Sequence, residues 1–393
     1  MATTVLDIMP VIRGCYRAQP QATPSDMARF PTNDIMALVG PAPRYDLAES
    51  IGPALRLRDV LGSDDIALGY GSAAGDPRLR AAIAERHGVG LDDVVVTVGG
   101  MHALFLLAFI LCEHGDEAVT TTPLFAPART ALQAIGARAR TVTMDFERRY
   151  QPNPGDIRAV LSERTKLVCL ASPQNPSGVA IPPGTIQGIL SAMQEKCPQA
   201  YLLMDETFRE AAYGDDPIAP SAIDLSPKIV SIASLSKCHG APGLRIGWAI
   251  TRDPVLREQL VVGKFSTVIS CSAVDEAVAL RVLAQNQQAR RDHFASGLAR
   301  TAGWVRDNAR RIEWVRPDAG AICCVRLRPD VFDDEAVSRF YSELVNHGVR
   351  VGNGTWFGEE ARIFRLGFGL LPMHDLEAAL AGVSAALDKA TNA

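Results

Sequence analysis

The hydrophobic and polar positions of the chain change period along its length. From about residue 75 onward, short β-branched runs alternate with stretches of helical period. Apolar residues spaced three to four apart predict a helix over Leu79–His87, and the unbroken run Val94–Val98 predicts a strand buried on both faces. A helix over His102–Glu113 follows, then a strand at Glu117–Thr121 and a helix at Ala126–Ile135. Leu167–Ala171, Tyr201–Met204 and Ile229–Ala233 are three further predicted strands. Strands separated by helices point to an α/β fold, a mainly parallel sheet sandwiched by helices. Residues 273–311 hold no proline and read as one long helix with a weak break at Gly297. Beyond it, Ile322–Leu327 and Ile363–Phe368 read as strands, and a last helix starts after Pro372. Pro10, Pro20, Pro24 and Pro31, with little periodicity around them, mark the N-terminal segment as an irregular arm. The expected organisation is an arm over 1–35, a large domain over 65–280 and a smaller α+β domain assembled from 36–64 and 285–393.

Composition narrows the class without naming a function. A length of 393 residues suits two or three lobes, and 47% apolar with 21% charged residues is an ordinary globular balance. The net charge of −4, from 40 basic and 44 acidic side chains, argues against a nucleic-acid binder, which shows a basic surplus. Cysteines lie at 15, 112, 169, 197, 238, 271, 323 and 324, with no CxxC pair. In apolar surroundings they read as buried thiols, and so many without a disulfide framework point to a reducing cytoplasm. Cys112-Glu113-His114 and Cys323-Cys324 lack zinc-ligand spacing, so no metal is expected. The longest apolar run, Ala103–Cys112, is about half of what a membrane-spanning helix needs. Met1–Pro10 lacks the basic-then-apolar order of a signal peptide.

In an open α/β sheet, ligands bind beyond the carboxyl ends of the strands, so the residues just after each strand carry the chemistry. Gly99-Gly100-Met101 open a helix whose backbone N–H groups and dipole favour an anion. The same glycines also serve a tight turn, and they match neither the dinucleotide fingerprint nor a P-loop. Ser172-Pro173-Gln174-Asn175-Pro176-Ser177-Gly178 forms a rigid turn that presents the Asn175 amide. Asp205 ends a buried strand, where a carboxylate needs a cation or hydrogen bonds. Ser234-Leu235-Ser236-Lys237 follows another strand, and Arg245 lies across a Gly/Pro-rich turn from it. A lysine at the mouth of a sheet can have a lowered pKa and form a Schiff base. Ser234, Ser236 and Arg245 can share one anion with the Gly99-Gly100 turn. Each feature alone has a structural explanation. Together, a phosphate cup, an amide, a buried acid and an amine at successive strand ends are the set that pyridoxal phosphate needs.

The run Ser234-Leu235-Ser236-Lys237, continued by Ala241-Pro242-Gly243-Leu244-Arg245-Ile246-Gly247-Trp248, resembles the lysine signature of class I/II aminotransferases, the aspartate-aminotransferase-like, fold-type I pyridoxal-phosphate enzymes. Asn175-Pro176-Ser177-Gly178, Asp205-Glu206 and Phe364-Arg365-Leu366-Gly367-Phe368 resemble the same family, and the similarity spans about Tyr70 to the C-terminus. The resemblance implies pyridoxal 5′-phosphate as cofactor and amino-group transfer between an α-amino acid and an α-keto acid. Lys237 would carry the cofactor as an aldimine and then move the Cα proton. Asp205 would pair with the pyridinium nitrogen, Asn175 would bond the ring hydroxyl and Phe125 would stack on the ring. Gly100, Met101, Ser234, Ser236 and Arg245 would hold the phosphate, and Tyr70 would reach the phosphate of a neighbouring subunit. Arg365 would clamp the substrate α-carboxylate, where a bidentate fork fits. The resemblance also implies a homodimer with shared active sites.

Two departures bear on the reaction. Relatives place a tyrosine three residues after the buried aspartate, whereas this chain reads Asp205-Glu206-Thr207-Phe208. Losing a donor to the ring oxygen raises the pKa of the lysine–cofactor adduct, because the deprotonated form loses stabilisation. Pyridoxal enzymes of the capreomycidine synthase and arginine oxidase/hydroxylase groups look similar at this point. The alternative to an aminotransferase is therefore a lyase, cyclase or oxidase of specialised metabolism acting on an arginine-like amino acid. The run Tyr45–Ser50 also departs from the usual substrate-side loop, and Glu49 faces either a cationic side chain or solvent. His239 is expected to pack behind Lys237 rather than to act as a base. A ligand-sensing regulator on this fold would need an added DNA-binding segment, for which the arm is too short and insufficiently basic.

Overall fold

A computed structural model describes residues 30, 34–38, 42–60, 62, 65–214, 216 and 218–391. Most of the expected arm, and Cys15 with it, lies outside the described residues. The strands in chain order are β1 Tyr45–Leu47, β2 Val94–Val98, β3 Glu117–Thr122, β4 Arg138–Thr143, β5 Thr165–Ala171 and β6 Tyr201–Asp205, then β7 Ile229–Ser234, β8 Ile246–Thr251, β9 Ile312–Val315, β10 Ile322–Leu327, β11 Val349–Asn353 and β12 Ile363–Gly367.

Seven of these form one sheet in the order β2-β8-β7-β6-β5-β3-β4. The β4, β3, β5, β6 and β7 ladders are parallel, and β8 runs antiparallel to both neighbours. The reason lies in the connection. Only residues 235–245 separate β7 from β8, and they hold no more than the short turn Pro242–Leu244. A parallel return needs a crossover, usually a helix, so this chain doubles back. The continuous apolar strands divide their side chains between two cores. Val94, Val96, Val168, Leu170, Leu202 and Met204 belong to one. Val95, Leu167, Cys169, Leu203, Val230 and Ile232 belong to the other. A period of two inside an unbroken apolar run is what burial on both faces produces.

A second sheet, β1-β11-β12-β10-β9, is antiparallel except where β1 pairs parallel with β11. It combines Tyr45–Leu47 with strands from the last part of the chain, and the helix Met373–Thr391 packs into its core. The single helix expected over 273–311 is instead two, Ala273–Ala284 and Gln288–Asp307. The break falls at residues 285–287. There Gln287 donates to the carbonyl of Val282, and Asn286 Oδ1 accepts from the amide of Gln288. Gly297 sits inside the second helix because the backbone of Phe368 crosses there, and a Cβ would lie 2.4 Å from its carbonyl oxygen. The seven cysteines within the described residues are all buried thiols. No helix of the described residues is long and apolar enough to cross a membrane, and no metal-binding cluster occurs among them.

Candidate active site

The topology brings the chemistry to one rim. β2 and β7 both pair antiparallel with β8, so the carboxyl ends of β2 and β7 meet the amino end of β8. Val98 is opposite Ile246, and Ser234 is opposite Gly247. The residues just beyond them, Gly99, Ser236 and Arg245, are therefore forced together. Gly247 permits the closest approach: a Cβ there would lie 2.5 Å from the amide nitrogen of Gly100. Gly99, at φ +74, leaves the space that Arg245 Nη2 fills, 2.3 Å from where a Cβ would stand. Arg245 adopts a left-handed conformation, φ 50 and ψ 39, and Nη1 donates to the carbonyl of Pro242 at 2.7 Å. A non-glycine residue held there is a strained feature of the kind found at ligand clamps.

A cavity of about 230 Å³ opens on this rim. It is lined by Gly100, Met101, Phe125, Asn175, Asp205, Ser234, Ser236, Lys237 and Arg245, nine of the residues singled out from the sequence. Gly100 and Met101 lie in the first turn of the helix Gly99–Leu111. Thr207 and Phe208 also line the cavity. Thr207 was not anticipated, although its spacing after Asp205 fits an Asx turn. Its backbone N–H donates to Asp205 Oδ1 at 3.0 Å and holds that carboxylate in place. Phe208 is 5% exposed and its ring lies over Gly320, where a Cβ would come within 2.8 Å of Cδ1.

The electrostatics of the cavity follow from enclosure. Burial raises the Asp205 pKa, against the lowering pull of its bonds to Thr207 and of Lys237 nearby. Burial lowers the Lys237 amine to about 8, helped by Arg365 and Arg245 and opposed by Glu49 and Asp205. An acid and an amine with perturbed pKa values in one cavity mark a reactive site.

Arg365 and Tyr70 do not line this cavity. Arg365 lies on β12, 1% exposed. Its Nη1 donates to Asn175 Oδ1 at 2.8 Å and its Nη2 donates to the carbonyl of Ala48. Its guanidinium lies 4.6 Å from the Phe357 ring centre. Nε has no hydrogen-bond partner among the described residues. Burial lowers this guanidinium to about 10, with Glu49, Cys324 and Asp46 working against the shift. Accepting from Arg365 commits Asn175 Oδ1 and leaves the amide NH₂ as the donor for a ligand. Tyr70 is 87% exposed, beside Ser270 and Ser272. His239 is buried away from the cavity with Nε2 3.3 Å from Glu210 Oε2, and Glu210 pairs with Arg86 at 2.6 Å.

These residues fit pyridoxal 5′-phosphate. The glycine-lined notch beside Arg245, with Ser234, Ser236 and the first turn of a helix, is a donor set for a dianionic phosphate. The raised carboxyl of Asp205 is a site that a ring cation would stabilise, and Lys237 supplies an amine for an aldehyde.

A family model for aminotransferase class I and II matches residues 35–383. Capreomycidine synthase of Streptomyces vinaceus is 33% identical over 333 residues, 82% of this chain and 81% of that protein. Arginine–pyruvate transaminase of Pseudomonas aeruginosa is 27% identical over 311 residues, 74% of this chain and 75% of that one. Among solved structures, a PLP-dependent aminotransferase of Streptococcus suis matches with a TM-score of 0.80 at 23% identity, covering 88% of this chain and 94% of that one. The PLP-dependent cyclase OrfR matches at 0.78 and 24% identity, covering 94% and 99%. The chain belongs to the class I and II aminotransferase family, has the fold-type I architecture and takes pyridoxal 5′-phosphate as its cofactor.

Proposed function

We propose that the protein moves the amino group of an α-amino acid to an α-keto acid. The observation that carries this reading is one cavity lined by Lys237 and Asp205, with Arg365 anchored to its wall through Asn175. When bound, the cofactor supplies an aldehyde for the incoming amine and a ring that accepts the electron pair left at Cα. Arg365 binds the α-carboxylate and so orients the Cα–H bond. Lys237, with its pKa near 8, would take that proton from Cα and hand it to the carbon that was the cofactor's aldehyde, so that hydrolysis leaves the keto acid. Asp205 keeps a positive charge on the ring nitrogen. Ser234, Ser236, Arg245 and the amides of Gly100 and Met101 would hold the phosphate, Phe125 would cover the ring and Asn175 would bond its hydroxyl. Tyr70, exposed and outside the lining of its own cavity, supports a homodimer in which it serves the neighbour's phosphate.

One observation favours a second reading, a lyase, cyclase or oxidase acting on an arginine-like amino acid. Phe208 lines the cavity where aminotransferases carry a tyrosine, and the capreomycidine synthase similarity covers most of the chain. Product analysis separates the two. The holoenzyme is incubated with each amino acid, with and without a keto acid. Keto-acid product that requires the acceptor supports transfer. Ammonia release, a cyclic product or oxygen uptake without an acceptor replaces it with the second reading.

A further inference from the structure

The charges at the substrate end do not balance, and the imbalance falls on one residue. Ala48 accepts from Arg365 Nη2, so the next residue, Glu49, is anchored beside the carboxylate clamp. Its backbone is packed tightly on Gly367, where a Cβ would stand 1.9 Å from the Glu49 carbonyl oxygen. That packing fixes the Glu49 backbone on the same strand that carries Arg365. The neighbouring acid, Asp46, is fully committed. It accepts from the Ala48 amide at 3.0 Å and from Arg350 through Nε at 3.2 Å and Nη2 at 2.5 Å. Glu49, half-buried, makes no hydrogen bond or ion pair among the described residues. It nevertheless acts electrostatically on Lys237, Arg365 and Arg350, the last of which is already paired with Asp46.

The proposed chemistry then leaves Glu49 over. The phosphate answers Arg245, the ring nitrogen answers Asp205, and the substrate α-carboxylate answers Arg365. A half-buried carboxylate without a hydrogen-bond or ion-pair partner is stabilised by a cation on the substrate. A planar guanidinium offers two parallel N–H donors to such a carboxylate, which a single ammonium does not. Resting on the functional reading above, we propose that Glu49 is the specificity residue and that it selects a substrate whose side chain ends in a guanidinium.

The test compares L-arginine with L-citrulline, its uncharged isostere, in the wild-type holoenzyme and in Glu49→Gln and Glu49→Asp. Two readouts are taken: steady-state KM and kcat, and a dissociation constant from titrating the cofactor absorbance. The wild type is expected to favour arginine through KM. Glu49→Gln is expected to raise KM and the dissociation constant for arginine roughly 10- to 100-fold while changing citrulline far less. Glu49→Asp, which keeps the charge on a shorter arm, should retain part of the discrimination. Equal losses for both amino acids in Glu49→Gln would mean a general structural role and overturn the proposal, as would a wild type that does not distinguish them. If some other amino acid perturbs the absorbance and arginine does not, the specificity inference fails while the aminotransfer reading stands. If no amino acid perturbs it, the functional reading itself fails.

Discussion

At the phosphate end of the cavity, Gly99, Ser234, Ser236 and Arg245 come from strand ends joined by ladder pairing. Gly99 and Gly247 leave the room in which the helix start and the guanidinium of Arg245 meet. At the substrate end, Ala48, Asn175 and Arg365 come from three distant segments that meet only through the second sheet. The first end is a property of one sheet. The second exists only when two sheets are docked. On the proposed roles, cofactor and substrate would thus be held by different parts of the molecule.

The largest effect is expected where the docking is cut. Arg365→Lys cannot reach both Asn175 Oδ1 and the Ala48 carbonyl with a planar fork. We expect kcat/KM for the amino acid to fall about 100-fold, with cofactor affinity nearly unchanged. Stability should drop by about 1–2 kcal/mol, because a buried acceptor loses its donor. Steady-state kinetics and a cofactor titration check this. A parallel loss of cofactor affinity would mean the two ends are not separable.

Gly99→Ala is the mirror experiment. The φ of +74 is unfavourable for alanine, and its Cβ would displace Arg245 Nη2. Cofactor affinity should weaken about tenfold, read by equilibrium dialysis, since strain of this kind costs on the order of 1–3 kcal/mol. KM for the amino acid at saturating cofactor should not move.

The ends should also separate by pH. Lys237 reacts as the neutral amine, and enclosure brings its pKa down to about 8. The rate at which the cofactor-free protein captures the cofactor should therefore fall about tenfold per pH unit below 8 and level off above it. Arg365 is lowered only to about 10, so the charge proposed to bind the substrate stays constant over the same range. Stopped-flow absorbance from pH 6 to 9 reads the first. A flat capture profile would mean that the amine is not the titrating group.

This difference between the ends also decides what was legible in the sequence. The phosphate end can be read because its residues flank strands whose apolar runs are visible: Gly99 follows Val94–Val98, Ser234 ends Ile229–Ser234, and Arg245 precedes Ile246–Thr251. The signature around Lys237 and Arg245 is contiguous for the same reason: the short loop that turns β8 antiparallel also carries the chemistry. Arg365 was recognised only by resemblance, and nothing local shows that it bonds Asn175 and Ala48. Thr207 was missed because its part is played by a backbone N–H, which has no side-chain signature. The two helices within 273–311 read as one because residues 285–287 hold neither proline nor glycine, and the weak break falls to Gly297. It marks a close backbone approach instead, and the real stop is held by polar caps at Asn286 and Gln287. Propensity reports local cost, and tertiary packing decides whether that cost matters.

The smallest expected effect tests the boundary between the two ends. Phe208 lines the cavity, and its ring is held against Gly320. Phe208→Tyr adds one hydroxyl to a ring whose position is already fixed. If that hydroxyl reaches the cofactor's ring oxygen, it stabilises the deprotonated form, so the pH at which the holoenzyme absorbance titrates should fall by about one unit. Turnover should change only by about threefold, since one hydrogen bond to a charged oxygen is gained and none is broken. The informative quantity is the product ratio. A shift toward acceptor-dependent keto acid would make Phe208 the residue that sets the reaction course. A titration that moves with an unchanged product ratio would leave the reaction course to the substrate end, where Glu49 and Arg365 are proposed to hold the amino acid. A titration that does not move would mean the hydroxyl never meets the ring oxygen, and the Tyr-to-Phe difference would then carry no chemical information.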